Sequence, residues 1–166
     1  MAYPTLAEAD RLWLEAVRLR HDRQASKIAL HFTLVFPFEL AEDSAAPHAQ
    51  RVLGRLKPIP FVIRSAVAMP DPVGGGSHVF LVPDEGRAEL EMLHARLYGG
   101  VMAPFLRHDI PFVPHLTVGA FERRDAGEEL AAALNRDGLC VRGTVPRAHL
   151  VEVGEQSVRT VAEFPA

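Results

Sequence analysis

Two stretches of this chain carry one pattern. "HFTLVFPF" begins at His31 and "HLTVGAF" at His115, each with a threonine two residues after the histidine and an aliphatic residue after that. The starts differ by 115 − 31 = 84 positions, roughly half of the 166 residues. Shifting the chain by the same amount repeats the order of elements: "FVIRSAVA" at 61 falls on "VPRAHLVE", and the helical run "AAPHAQRVLGRL" falls on the last helical run. A repeat of this kind confines the fold to α+β, as a duplicated bilobal arrangement of two antiparallel sheets with outer helices, related by an approximate two-fold axis. The lobes are expected near 1–83 and 84–166 within a single domain, with exchange of strands between them allowed.

Periodicity supplies the elements. "TLAEADRLWLEAVRL" opens with Thr5 and Glu8 in capping-box relation and places Leu6, Ala9, Trp13, Ala16 and Val17 on one helical face. "IALHFTLVFPF" is rich in β-branched and aromatic residues and reads as a strand. A helix with Ala49, Val52, Leu53 and Leu56 inward follows, with Pro47 in its first turn. "FVIRSAVAM" and "HVFLVP" are strands joined by the turn-rich "PDPVGGGS". In the second half Asp84 is placed to cap a helix carrying Leu90, Leu93 and Leu97, and "PFVPHLTVGAF" is the next strand. Asp125 with Glu128 resembles another cap, and Gly138 is placed to end that helix. "LCVRGTVPRAHLVEV", interrupted by Gly143 and Pro146, and "SVRTVAEF" complete the set.

A histidine inside an apolar strand costs free energy unless both ring nitrogens find a use. Side chains alternate along a strand, so His31 and Thr33 share one face while Phe32 and Leu34 anchor the other, and His115 and Thr117 share a face opposite Leu116 and Val118. If the halves face each other, two imidazoles and two hydroxyls line a central cleft. That set suits phosphodiester cleavage. One imidazole removes a proton from the attacking oxygen and the other protonates the leaving oxygen, each transfer contributing about 10² to 10⁴ in rate. The threonine hydroxyls donate to the non-bridging oxygens, where charge builds up. Five threonines and eight histidines placed at random in this length would give about 0.24 His-x-Thr triplets, and two are present at matching places in the repeat.

The pair of motifs, "HFTL" at 31–34 and "HLTV" at 115–118, together with the two-lobed order, resembles the 2H phosphoesterases, the LigT-like or 2′-5′ RNA ligase superfamily. "YPTLAEADRLWLEAVRLRHD" ahead of the first motif is similar to the bacterial branch in which a helix directly precedes it. The resemblance implies a metal-independent enzyme acting on 2′,3′-cyclic or related phosphate ends of RNA or of a small nucleotide, with 2′-5′ ligation as the reverse reaction. It carries over His31 and His115 as general acid and base, and Thr33 and Thr117 as phosphate donors. Which histidine is acid and which is base stays open at this point, as do base preference and oligomeric state. The alternative of another class is a non-catalytic module binding a nucleotide or phosphorylated ligand in the same cleft.

Other residues have plainer readings beside functional ones. Phe36, Phe38 and Phe121 follow the motifs and are candidates to stack on a base, or else core residues. Arg107 and His108 are candidate phosphate contacts, or else an exposed helix-end pair. His78 reads as a solvent histidine at a loop edge, His21, His48, His94 and His149 as surface or packing residues, and Cys140 as a buried strand residue. No HExxH or CxxC spacing occurs, and "PVGGGS" lacks the lysine and helix of a phosphate loop, so neither a metal nor another cofactor is expected. The net charge of −3 disfavours a long nucleic-acid duplex, and no apolar run reaches the roughly 18 residues needed to cross a membrane. With a lone cysteine and no secretory leader pattern, the expected compartment is the cytoplasm.

Overall fold

A computed structural model describes residues 1–39, 42–54, 56–71, 75–154 and 157–165; Pro72–Gly74 of the "PDPVGGGS" connection lie outside them, as does Arg55 in the second helical run. The chain runs β1 (Thr5–Leu6), α1 (Glu8–His21), α2 (Glu42–Leu53), β2 (Ile59–Pro70), β3 (Ser77–Glu85), α3 (Arg87–Leu97), a 3-10 helix (Gly100–Phe105), β4 (Leu116–Phe121), α4 (Arg124–Arg136), β5 (Val141–Val145), β6 (Arg147–Val153) and β7 (Val158–Pro165). The fold is α+β. A five-stranded antiparallel sheet has the order β1-β5-β2-β3-β4, and β6 pairs with β7 in a second sheet.

Single bridges extend the pairing beyond the named strands. Phe32 bridges Leu116 at the free edge of β4 and also bridges Ala2, while Met1 and His149 of β6 exchange backbone hydrogen bonds. Sheet contacts thus pass from β4 through Phe32 and Ala2 to β6. Several cross the middle of the sequence: the β2–β3 hairpin pairs with the strand of the second motif, and α4 packs on β2 and β3. The helix α2, in turn, packs on β6 and β7.

Alternation on β3 sorts two surfaces. Ser77, Val79 and Leu81 are buried in the core, and His78 and Phe80 lie on the other face. Opposite them, Val79 pairs with Gly119 and Phe80 with Thr117, so one residue of β4 is passed over between the pairs. This bulge changes the parity of β4 and lets both Thr117 and Ala120 share the face of His78 and Phe80. A similar irregularity near Ile63 in β2 places Phe61, Val62 and Ile63 all inside, where strict alternation would expose one of them.

The main core joins Leu14 of α1, Phe32, Phe61, Ile63, Val79, Leu81, Leu116 and Val118 with the apolar stripes of α2, α3 and α4. Phe32 and Phe61, 1% exposed each, meet edge to face at 5.2 Å between centroids. Several expectations change. Pro47 stands inside α2, beyond its first turn. Thr5 pairs with Thr144 in β1 instead of capping, and Ala7 precedes α1 without a side-chain cap. The buried positions of α1 are Leu14 and Arg18, with Trp13 40% exposed, because this helix packs on β4 through a stripe that includes a charge. Gly86 at φ +80° precedes α3, while the Asp84 carboxylate accepts the Arg64 backbone N–H. Arg123 stands where the Asp125 cap was expected. Gly138, at φ +74°, ends α4 as anticipated. Among the described residues no helix is long and apolar enough to cross a membrane.

Candidate active site

The first motif is held by its middle residue. The helix α1 ends at His21, and a turned segment carries the chain to Ala29. Phe32 then exchanges backbone hydrogen bonds with Ala2 at 2.8 and 2.9 Å, which makes it a bridge rather than part of a continuous strand. The expected strand over "IALHFTLVFPF" is therefore reduced to one residue, and the backbone bends at Leu34 and Val35. With Phe32 buried, His31 faces the opposite side. Its Nδ1 lies 2.9 Å from the Ala29 carbonyl oxygen. A carbonyl can only accept, so Nδ1 carries the proton and Nε2 is left as the working nitrogen.

The second motif repeats this device. His115 immediately precedes β4, and its Nδ1–H donates to the Val113 carbonyl at 2.6 Å, again two residues upstream. The ring is held from the side as well: Phe80 stacks on it with centroids 3.6 Å apart and planes within 15°. His78 lies nearly parallel to Phe80 at 5.9 Å and 3.6 Å from an Asp71 carboxylate oxygen.

Both histidines open on one cleft of about 250 Å³, lined by Arg18, Asp22, Gln24, Ile28, His31, His78, Phe80, His115, Thr117 and Ala120. Burial holds both imidazoles below the ordinary histidine range. For His115 the pKa falls to about 4, the nearby His31 and His78 rings adding to the effect and the bond to Val113 opposing it. His31 is lowered by burial too, its bond to Ala29 opposing; Arg18 pushes further down and Asp22 up. Both are thus neutral at pH 7 in the free protein.

Of the residues anticipated from sequence, His31, His115 and Thr117 line this cleft. Thr33 is half-buried on the bent segment after Phe32 and is not among the lining residues. Nor are the five candidate substrate contacts. Phe36 and Phe38 line a separate cavity of about 370 Å³ between α2 and the β6–β7 hairpin, and Phe38 also packs on Phe105. They lie there because the bend after Thr33 turns the chain away from the histidine side. Arg107 is exposed and forks onto Asp109, and His108 is exposed beside it. Phe121 packs against the core and near His21.

His78, read from sequence as a solvent histidine, stands on the cleft face of β3. Phe80, Arg18 and Asp22 were not anticipated at all. The parity of β3, with His78 and Phe80 opposite Val79 and Leu81, was the available signal for His78 and Phe80. His48 and His94 are buried and bond the Leu97 and Leu34 carbonyls, as packing residues do. Cys140 is exposed, just ahead of β5, instead of buried. Among the described residues no group of three or more His, Cys, Asp or Glu side chains is arranged to hold a metal ion.

Two imidazoles of matched tautomer beside a hydroxyl, in a cleft of nucleotide dimensions, are equipment for acid–base chemistry on a phosphoester. Comparison with known proteins agrees with that class. The model of the 2′-5′ RNA ligase superfamily matches residues 5–156, and the chain belongs to this superfamily, the 2H phosphoesterases. Its relatives include proteins named "Putative phosphoesterase" from Geobacillus kaustophilus, 31% identical over 153 residues, and from Bacillus licheniformis, 28% identical over 149 residues. The alignments cover 88% of this chain in both cases, and 83% and 85% of the respective relatives.

Proposed function

We propose that this chain hydrolyses a cyclic phosphodiester, the 2′,3′-cyclic phosphate of an RNA end or a small nucleotide, by acid–base catalysis between His31 and His115. The observation that carries the reading is the repeated Nδ1–H bond to the carbonyl two residues upstream, which readies both Nε2 atoms in one cleft. His115, whose ring Phe80 holds from the side, is assigned as the base: its Nε2 takes the proton of a water whose oxygen attacks phosphorus. The bond from phosphorus to the 2′ or 3′ oxygen breaks, and His31 gives that oxygen a proton, leaving a phosphomonoester. The incoming phosphate anion raises the proton affinity of the histidines, so substrate itself brings the acid into its charged form. The Thr117 hydroxyl donates to a non-bridging oxygen, and the sequence motif assigns Thr33 the matching task. With the 5′ hydroxyl of a second RNA end attacking in place of water, the bond from phosphorus to the 3′ oxygen breaks, His31 protonates that oxygen, and a 2′-5′ diester is left, which is ligation.

Incubating the purified protein with 2′,3′-cyclic nucleotides, 2′-5′ dinucleotides and cyclic-phosphate RNA ends tests the proposal. Turnover of at least one of them, with a bell-shaped pH dependence and no loss in the presence of chelator, is expected. Absence of turnover across the whole panel, with phosphate ligands still bound, would instead make the cleft a binding module.

A further inference from the structure

The ion pair of α1 is the part of the cleft that acid–base chemistry leaves unused. Arg18 and Asp22 are 4% and 6% exposed, and both line the cleft. The Asp22 carboxylate accepts Arg18 Nε at 3.0 Å and Nη2 at 2.8 Å through one oxygen, and the Gln24 N–H at 2.9 Å through the other. A buried pair of this kind gains little or no stability over apolar side chains of similar volume, because desolvation of two charges offsets their attraction. Leu14, one turn earlier on the same face, shows that an apolar residue suits this side of the helix. The pair therefore calls for a function.

Its geometry supplies one. Asp22 engages the Nε–Nη2 edge of the guanidinium, leaving Nη1 outside that contact. Among the described residues that line the cleft, Arg18 is also the single permanently charged cation. We propose that Arg18 contacts the substrate as the phosphate-receiving cation of the cleft, and that Asp22 is the positioning residue that aims it. The planar fork of arginine suits phosphate oxygens, and the second carboxylate oxygen of Asp22 fixes the turn that leads to His31. The physiological ligand rests on the phosphoesterase reading; the contact itself does not.

The groups facing His31 are Arg18 from α1 and Asp22 at its C-terminal cap, His115 from the approach to β4, and Tyr3 with the Met1 amine from the segment beside Phe32. Arg18 disfavours a proton on His31 and Asp22 favours it, so loss of either member moves that titration in opposite directions.

The test is titration of inorganic phosphate into the wild-type chain and into Arg18→Met, Asp22→Asn and the double variant Arg18→Met/Asp22→Leu, following the imidazole resonances of His31 and His115. Because Arg18→Met alone strands a buried carboxylate, the uncharged double variant keeps the comparison available if the single one fails to fold. Arg18→Met and the double variant are expected to bind phosphate at least tenfold more weakly than wild type. His31 is expected to titrate higher in Arg18→Met and lower in Asp22→Asn. Phosphate affinity within twofold of wild type in the folded double variant would overturn the proposal, as would shifts of His31 in the same direction in both single variants, the mark of a purely structural pair. Wild-type hydrolysis of the cyclic-phosphate panel is scored separately. Phosphate binding through Arg18 with no turnover would sustain this inference and remove the phosphoesterase reading, and the converse would remove this one alone.

Discussion

The two catalytic candidates are the same residue type in the same local bond, yet their surroundings differ. His115 has an aromatic face against it and His78 close by, whereas His31 has an ion pair. Replacement of either histidine by alanine should reduce hydrolysis at least 10³-fold with unchanged circular dichroism, since each removes one proton transfer and an anion-binding group. Phe80→Leu is a milder change. It keeps the apolar volume and gives up the parallel ring contact, which is worth about 0.5–1.5 kcal/mol. Turnover should drop about two- to tenfold, mainly in kcat, and Phe80→Trp should restore most of it. Steady-state kinetics on whichever cyclic phosphate is turned over gives both results. The motif histidines and Thr117 were legible because a fixed spacing recurs. Arg18 and Asp22 were not, because a charged pair four residues apart on a helix reads as a solvated face until the strand that covers it is known.

At the scale of elements, strands and helices came through better than their joints. The β2–β3 hairpin and the apolar stripe of α3 follow from alternation and from 3.6-residue spacing alone. The first motif looked like a strand because β-branched and aromatic residues fill it, but a strand needs partners along its length, and here only Phe32 finds them. Likewise Thr5 met the local rule for a cap, while a distant edge on β5 claimed it for pairing. Joints are set by tertiary approach, and Gly86 shows it. Its φ of +80° favours glycine, and a Cβ built there would stand 2.3 Å from the Pro60 carbonyl oxygen and 3.0 Å from the Phe61 side chain. Gly86→Ala should therefore lower unfolding free energy by about 2 kcal/mol or more, as strain and a backbone clash combine. Urea denaturation measures this, and an alanine variant as stable as wild type would contradict the close packing of β2 against the start of α3.

Across the whole molecule the same burial that prepares the cleft sets a dependence of stability on pH. Burial lowers His115 to about 4 in the folded chain from the ordinary 6.5 of an exposed histidine, and His31, His94 and His149 are shifted in the same direction, each chiefly by burial. Between these limits the unfolded chain binds more protons than the folded one, so acid favours unfolding. Above about pH 6.5 both states are neutral at these rings and the contribution is constant; as pH falls from there toward 4 it is lost. For His115 alone the loss is on the order of 3 kcal/mol, a large share of the 5–15 kcal/mol typical of a domain. The midpoint of urea denaturation should thus fall steadily over that interval, and His115→Gln should flatten the slope by about one proton. Phosphate should flatten it too, because a bound anion favours the charged imidazoles and binds the folded state. A midpoint independent of pH between 4 and 6.5 would mean that the histidines are hydrated in solution, and with that the enclosed cleft on which the proposed chemistry depends would be lost.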